Sequence, residues 1–219
     1  AMPTATSSRS CRFVAAWGGR GSLARVVALS PMQLAAAMGF RGSARERIRR
    51  GLASCSDSVG FAVLGQAVEA HSAQAVVEAL VGDLPKRGEF RYQEGNAGIA
   101  CMGAVVEQLT GRARFRFCAA HEMAAPTLRV LRAMWGATVR RTYLSSHREC
   151  DQREAAREAP VDLLMLALDC RPLSRANRRA RSCAARRRRE VWLMLREARA
   201  SLRLVTATRA RRVAIETGV

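Results

Sequence analysis

Val161-Asp162-Leu163-Leu164-Met165-Leu166-Ala167-Leu168-Asp169-Cys170-Arg171-Pro172-Leu173-Ser174 is the stretch that decides how the chain is read. An apolar run ends abruptly at a cysteine and is followed by a proline and a strongly basic tract. A strand buried on both faces of a parallel sheet reads as such a run, bounded by turn residues. In open α/β sheets, ligands and chemistry sit beyond the carboxyl ends of the strands. A thiol at that place, Cys170, is positioned to act as a nucleophile; a buried structural thiol is the plainer reading of the same residue.

The elements around this run alternate. Upstream, Phe90–Glu94 reads as a short strand, Gly95-Asn96-Ala97-Gly98 as a glycine turn and Cys101–Leu109 as a helix. Arg114–Ala120 reads as a strand, Ala124–Trp135 as a helix and Val139–Leu144 as a strand. Glu149–Glu158 reads as a polar helix, Arg181–Arg199 as a basic helix and Val213–Glu216 as a last strand. Alternating β and α elements predict a doubly wound, mostly parallel α/β sheet. Before residue 82 the chain reads as helical. Ser30-Pro31 is a helix start, and Met32–Met38, Ala44–Gly51 and Val68–Val81 are the expected helices. The expected division is a basic segment over 1–22, a helical segment over 23–81, a linker over 82–88 and an α/β core over 89–219.

Composition narrows the function. The 219 residues contain 37 Lys and Arg against 18 Asp and Glu, a net charge of +19. Such a charge favours a polyanionic partner, with DNA or RNA the first candidate. All the basic residues but Lys86 are arginine. They concentrate in Arg171, Arg175, Arg178, Arg179, Arg186, Arg187, Arg188 and Arg189, directly after Cys170. Arginines there would contact phosphates and add salt-sensitive, sequence-independent affinity. Trp192, Leu193 and Leu195 read as core residues of the same helix. The seven cysteines include no C-x-x-C pair, which points to free thiols in a reducing, intracellular compartment. No apolar run approaches the ~20 residues of a membrane span. His71, His121 and His147 are scattered, and nothing marks a metal site.

Two more features stand at expected strand ends. Gly95-Asn96-Ala97-Gly98-Ile99 precedes a helix, where glycine permits close backbone approach and the helix N-terminus favours a negative group. Glu122 follows the second strand of the core. A carboxylate there either accepts the two hydroxyls of a ribose or caps the next helix.

Together these residues resemble a DNA cytosine-5 methyltransferase. Gln93-Glu94-Gly95-Asn96-Ala97-Gly98-Ile99 is similar to the family's first, cofactor-binding motif. Phe117-Cys118-Ala119-Ala120-His121-Glu122 is similar to the second, whose acidic residue holds the ribose of S-adenosylmethionine. Asp162-Leu163-Leu164 leading to Cys170 resembles the fourth, whose cysteine attacks the base, and Val213–Val219 the sixth, which makes Glu216 the residue that contacts the cytosine. Leu29–Phe40 resembles the ninth motif, and Leu64-Gly65-Gln66-Ala67-Val68 the tenth, adding Gln66 to the cofactor residues.

In the family's usual order the last two motifs end the chain, whereas here they precede the first. The resemblance therefore implies a circularly permuted S-adenosylmethionine-dependent fold, joined through Gly82–Gly88. The chain departs from the pattern at several points. Asp169 stands where the family has proline, and a carboxylate beside a thiol disfavours the thiolate. Thr217 stands for the asparagine of the sixth motif, and Ser145-Ser146 lies where the third motif's acidic residue is expected. The eighth motif and the recognition region are not found in the chain; the resemblance leaves open whether a second chain or a longer parent chain supplies them. Two other readings stay open: a catalytically inactive relative that binds DNA or a partner, and a basic RNA-binding protein.

Overall fold

In the computed structural model, the residues described are 14–17, 25–82, 88–122, 124–136, 139–140, 156–168 and 184–217. The core is a five-stranded, all-parallel sheet. Its strands are β3 (Phe90–Gly95), β4 (Phe115–His121), β5 (Val139–Arg140), β6 (Leu163–Leu168) and β7 (Arg212–Thr217), in the order β5-β4-β3-β6-β7. The order runs outward from β3 in one direction and then returns to β6 on its other side. This is the doubly wound, Rossmann-like arrangement, with its switch point between β3 and β6. The α/β expectation is met.

β6 is buried on both faces, as its continuous apolar character requires. Leu163 and Met165 join one core and Leu164 and Leu166 the other. The first and larger core lies under the helices α1 (Pro31–Ala37), α2 (Gly42–Leu52), α3 (Asp57–Leu64), α4 (Ala70–Val81), α5 (Cys101–Thr110) and α6 (Ala125–Trp135). The second lies under α7 (Ala184–Thr208), whose Leu204 packs against Cys118, Val161, Leu164 and Leu166.

The helical segment before the core is seated on the larger face: α2 packs on α5 and α6, and α4 packs on α5. Local signals place its first helix. Ser30 accepts the Gln33 N–H at 3.3 Å, the Gln33 side chain accepts the Ser30 N–H at 2.7 Å, and Pro31 opens the helix. One ion pair fastens the segment. Arg47 of α2 forms a two-pronged pair with Glu107 of α5 and donates to the Met134 carbonyl of α6 at 3.0 Å. Its guanidinium lies 4.1 Å from the centre of the Trp135 ring, and Phe117 stacks on that ring at 4.3 Å. The close seating of α5 on the sheet depends on Gly103, where an added Cβ would come within 2.5 Å of the Phe117 ring.

Three differences from the sequence reading have physical causes. An antiparallel pair, β1 (Val14–Trp17) with β2 (Arg25–Ala28), puts one strand in the basic 1–22 segment and the other in the segment expected to be helical. Four-residue strands are too short for alternation to reveal. α7 runs nine residues further than expected, because the weakly patterned stretch after Arg199 is held helical by packing on β6. Trp192, Leu193 and Leu195, expected in the core, are 58%, 41% and 53% exposed. The core-facing side of α7 is instead formed by Ala200, Ser201, Leu204 and Thr208.

Glu107 is 1% exposed, so removing either partner of its pair leaves a buried charge uncompensated. Glu107→Ala is expected to lower stability by about 3–5 kcal/mol in urea unfolding. Arg47→Lys should recover little of the loss from Arg47→Ala, because an ammonium makes neither the two-pronged contact nor the ring stacking.

Candidate functional site

The candidate site lies at the carboxyl edge of the sheet, where β3 and β4 diverge from β6. The turn after β3 is sharply bent, with Asn96, Gly98 and Ala100 all at positive φ, 52°, 54° and 55°. At Gly98 a side chain would be strained by this conformation, yet an added Cβ would meet no atom within 4 Å. The turn is thus shaped by its backbone and faces open space.

Three hydrogen bonds fix it. The Ala97 N–H donates to the His121 carbonyl at 3.0 Å, and the Gly98 N–H to Glu122 Oε2 at 2.9 Å. The Asn96 side-chain amide donates to the Ala167 carbonyl at 2.8 Å. The glycine turn is therefore bonded both to the end of β4 and to the end of β6.

The helix-capping reading of Glu122 is seen in its geometry. One oxygen accepts the Gly98 N–H of the glycine turn, and the other accepts the Ala124 N–H at 2.7 Å at the start of α6. The residue is half-buried. Glu216, on β7, is exposed and pairs in register with Ala167. It thus stands one strand from the carbonyl that Asn96 holds.

The structure brings together Gly95, Asn96, Ala97, Gly98, Ile99, Glu122 and Glu216. Gln66 is exposed on the turn after α3, where its N–H donates to the Val63 carbonyl at 3.4 Å. Among the described residues, no hydrogen bond links it to the glycine turn. Cys170, Arg171, Arg175, Arg178 and Arg179 lie outside the described residues. Arg186 and Arg187 are on α7, and Arg188 and Arg189 are exposed there. Asp162, at the opposite end of β6, fastens the lower edge. It accepts the Arg91 N–H at 2.8 Å and pairs with Arg211 at 3.2 Å.

Residues that the sequence reading passed over lie under the turn. Tyr92 is fully buried and donates to Glu94 Oε2 at 2.7 Å. The Gly103 backbone N–H, in the first turn of α5, lies close enough to the Glu94 carboxyl to oppose the rise that burial imposes. Burial raises this carboxyl to about 8, and the nearby Glu216 charge adds to the rise. Beside them, Gln93 and His121, both buried, meet through their side-chain nitrogens at 2.7 Å. The signal for these residues was present: Gln93 and Glu94 are polar residues in a strand that the topology buries.

Among the described cysteines, Cys55, Cys101 and Cys118 are free thiols, and burial raises the pKa of each. None is an activated thiolate. Alongside the site, a cleft of ≈ 570 Å³ opens between the α2–α3 turn and the start of α6, lined by Ser54, Cys55, Ser56, Val59, Pro126 and Arg129.

Compared with known proteins, the chain matches no family model and no curated sequence. No described helix is long and apolar enough to cross a membrane.

The raised Glu94 carboxyl has a defined consequence. It is protonated in the folded chain and ionised in the unfolded chain between 4.5 and about 8. The unfolded state binds fewer protons in this window, so stability falls as pH rises through it. Glu94→Gln is expected to flatten that fall when urea unfolding is compared at the two ends of the window. An unchanged slope would show that other groups set it.

Proposed function

We propose that the chain is a DNA cytosine-5 methyltransferase-like domain of circularly permuted order. It binds S-adenosylmethionine in the crevice between β3 and β6. The observation that carries this reading is the pair of hydrogen bonds made by the glycine turn, to Glu122 and to the Ala167 carbonyl. They gather the residues of the first and second motif resemblances, and the strand that leads to the fourth, at one sheet edge. Cys170 follows Ala167 by three residues. The packing of α4 against α5, the helix opened by the glycine turn, is the packing a permuted order requires.

The residues present fit this cofactor better than a dinucleotide. A pyrophosphate needs the free N-terminus of the first helix. Here Glu94 lies buried beside the first turn of α5, and Glu122 and Glu216 place carboxylates at the same edge. An acidic edge of this kind suits a sulfonium and an amino group. Glu122 would accept the ribose hydroxyls while holding the turn, and the open space at Gly98 would admit the ligand against the backbone. When bound, the cofactor supplies an electrophilic methyl group.

The remaining chemistry belongs to the chain. The Cys170 sulfur adds to carbon 6 of an extruded cytosine, forming the S–C bond and moving the ring's double-bond pair toward carbon 5. Glu216, carrying a proton, would donate to the ring nitrogen and accept from the amino group, and so favour that addition. Carbon 5 would take the methyl, releasing the cofactor as the thioether; water would take the carbon 5 proton, and the Cys170 thiolate would leave as the double bond re-forms. The arginines from Arg171 to Arg189 hold the DNA backbone. Four of them, Arg186–Arg189, sit at the amino end of α7, where positive charge opposes the helix dipole. That placement costs local stability, which favours a role in binding.

Calorimetry with S-adenosylmethionine tests the cofactor site. Glu122→Ala is expected to weaken binding by about 1.5–3 kcal/mol, the range for hydrogen bonds to charged groups. Binding untouched by the change would remove Glu122 from the site. DNA carrying 5-fluorocytosine tests the nucleophile: a covalent adduct should form with cofactor and be lost in Cys170→Ser. Cofactor binding with no adduct would favour the second reading, a non-catalytic relative that binds DNA or a partner. The specific feature behind that reading is Asp169, whose charge works against a thiolate next to it.

A further inference from the structure

The outward face of α7 has no role in the fold, and of its residues only Arg188 enters the proposed chemistry. Val191, Leu195 and Leu202 are 36%, 53% and 64% exposed, and Ala198 between them is half-exposed. Their spacing is four, three and four residues, which is the heptad seam of a coiled coil. The seam points away from the side that packs on the sheet, formed by Ala200, Leu204 and Thr208. Arg188, Arg199 and Arg203 flank it and are exposed. Trp192, 58% exposed, lies beside it with the Arg196 guanidinium 5.5 Å from the ring centre.

We propose that this seam is the docking surface for an acidic amphipathic helix of a partner protein. The seam's geometry and charge select that occupant. Leucines at heptad spacing fit as knobs between the residues of a second helix, whereas an aliphatic side chain offers a nucleic-acid base no face to stack on. A membrane surface calls for a broad apolar face on a helix free to lie flat. Here the carboxyl half of the helix is fixed to β6 through Leu204, so it is not free to lie flat. A second copy of α7 would bring arginine rows against arginine rows, which disfavours self-pairing. Glutamates beside a leucine seam on the partner would complement Arg188, Arg199 and Arg203. The proposal is independent of methyl transfer.

The test uses the full chain and a fluorescent designed peptide of about three heptads, with Leu at the seam positions and Glu beside them, which keeps it from self-association. The peptide should raise anisotropy at physiological salt, and its twin with Lys for Glu should not bind. Leu195→Glu with Leu202→Glu should weaken binding about tenfold or more, as loss of central anchors does. Because both leucines are exposed, the thermal unfolding midpoint should stay unchanged. Arg199→Glu with Arg203→Glu should reverse the preference toward the lysine peptide.

Equal binding of both peptides, or binding unaffected by the leucine changes, overturns the proposal. So does failure of the acidic peptide where phosphatidylserine vesicles or a single-stranded oligonucleotide bind and lose binding in the leucine variant. Those outcomes assign the seam to a membrane or to nucleic acid. None of them bears on cofactor binding, which calorimetry reads separately.

Discussion

The arrangement turns on the Arg47–Glu107 pair beneath Trp135. Glu107 belongs to the helix between the first two core strands, and Arg47 to a segment that precedes the core by some forty residues of chain. Burying a carboxylate costs several kcal/mol unless its partner meets it well. Arg47 does so with two donors, a third contact to the Met134 carbonyl and a ring to lie on. The pair therefore demands one placement of α2, over α5 and at the end of α6. Once α2 is there, α1 and α3 pack against it or beside it and α4 closes on α5. A helical segment with few polar anchors of its own is thus located by a single ionic contact, while apolar packing around Ile48, Leu64 and Val77 supplies the bulk of the burial.

The fold was legible wherever one periodicity dominated. β6 announced itself because burial on both faces leaves no room for polar residues between Leu163 and Leu168. α1 was legible because Ser30 and Pro31 mark a start irrespective of context. α7 was legible as a helix but not in its orientation. Its two sides both carry apolar residues, Leu195 and Leu202 on one, Ala200 and Leu204 on the other. Only the position of β6 decides which of them is core. Trp192 misled for the same reason: a large apolar residue on a helix is ordinarily inside, and here tertiary context overrides that tendency.

The candidate site was legible in its turn and its carboxylate, and illegible in what lies under them. Gly98 and Glu122 were marked by residue type and by position after a strand. That they bond to each other depends on the parallel register of β3 and β4, which sequence spacing alone does not give. Tyr92 and Glu94 were given no role because the sequence does not show that their side chains meet, two residues apart on one face of β3. Burial keeps Glu94 protonated to about 8, so the carboxylates of the edge are Glu122 and Glu216. Where a dinucleotide-binding fold offers an anion position before its first helix, this edge carries two carboxylates.

The direction of α7 links that edge to the basic tract. β6 and β7 are parallel neighbours, so the helix between them runs back along the sheet. Its carboxyl end is tied to the start of β6, where the Val161 N–H donates to the Thr208 carbonyl at 3.2 Å. Its amino end must then lie toward the carboxyl edge, where the glycine turn and the end of β6 meet. A helix of 25 residues is ~37 Å long, against ~20 Å for a strand of 6 residues such as β6. The surplus length carries Arg188 and Arg189 beyond the strands on the side of the site, not away from it. The carboxyl half of α7 is therefore held by the core on one side, its amino end carries charge beyond the strands, and the apolar line from Val191 to Leu202 spans both halves. One element thus couples the fold to whatever binds at its edge, and a partner seated on the seam would stand next to any polyanion held by the arginines.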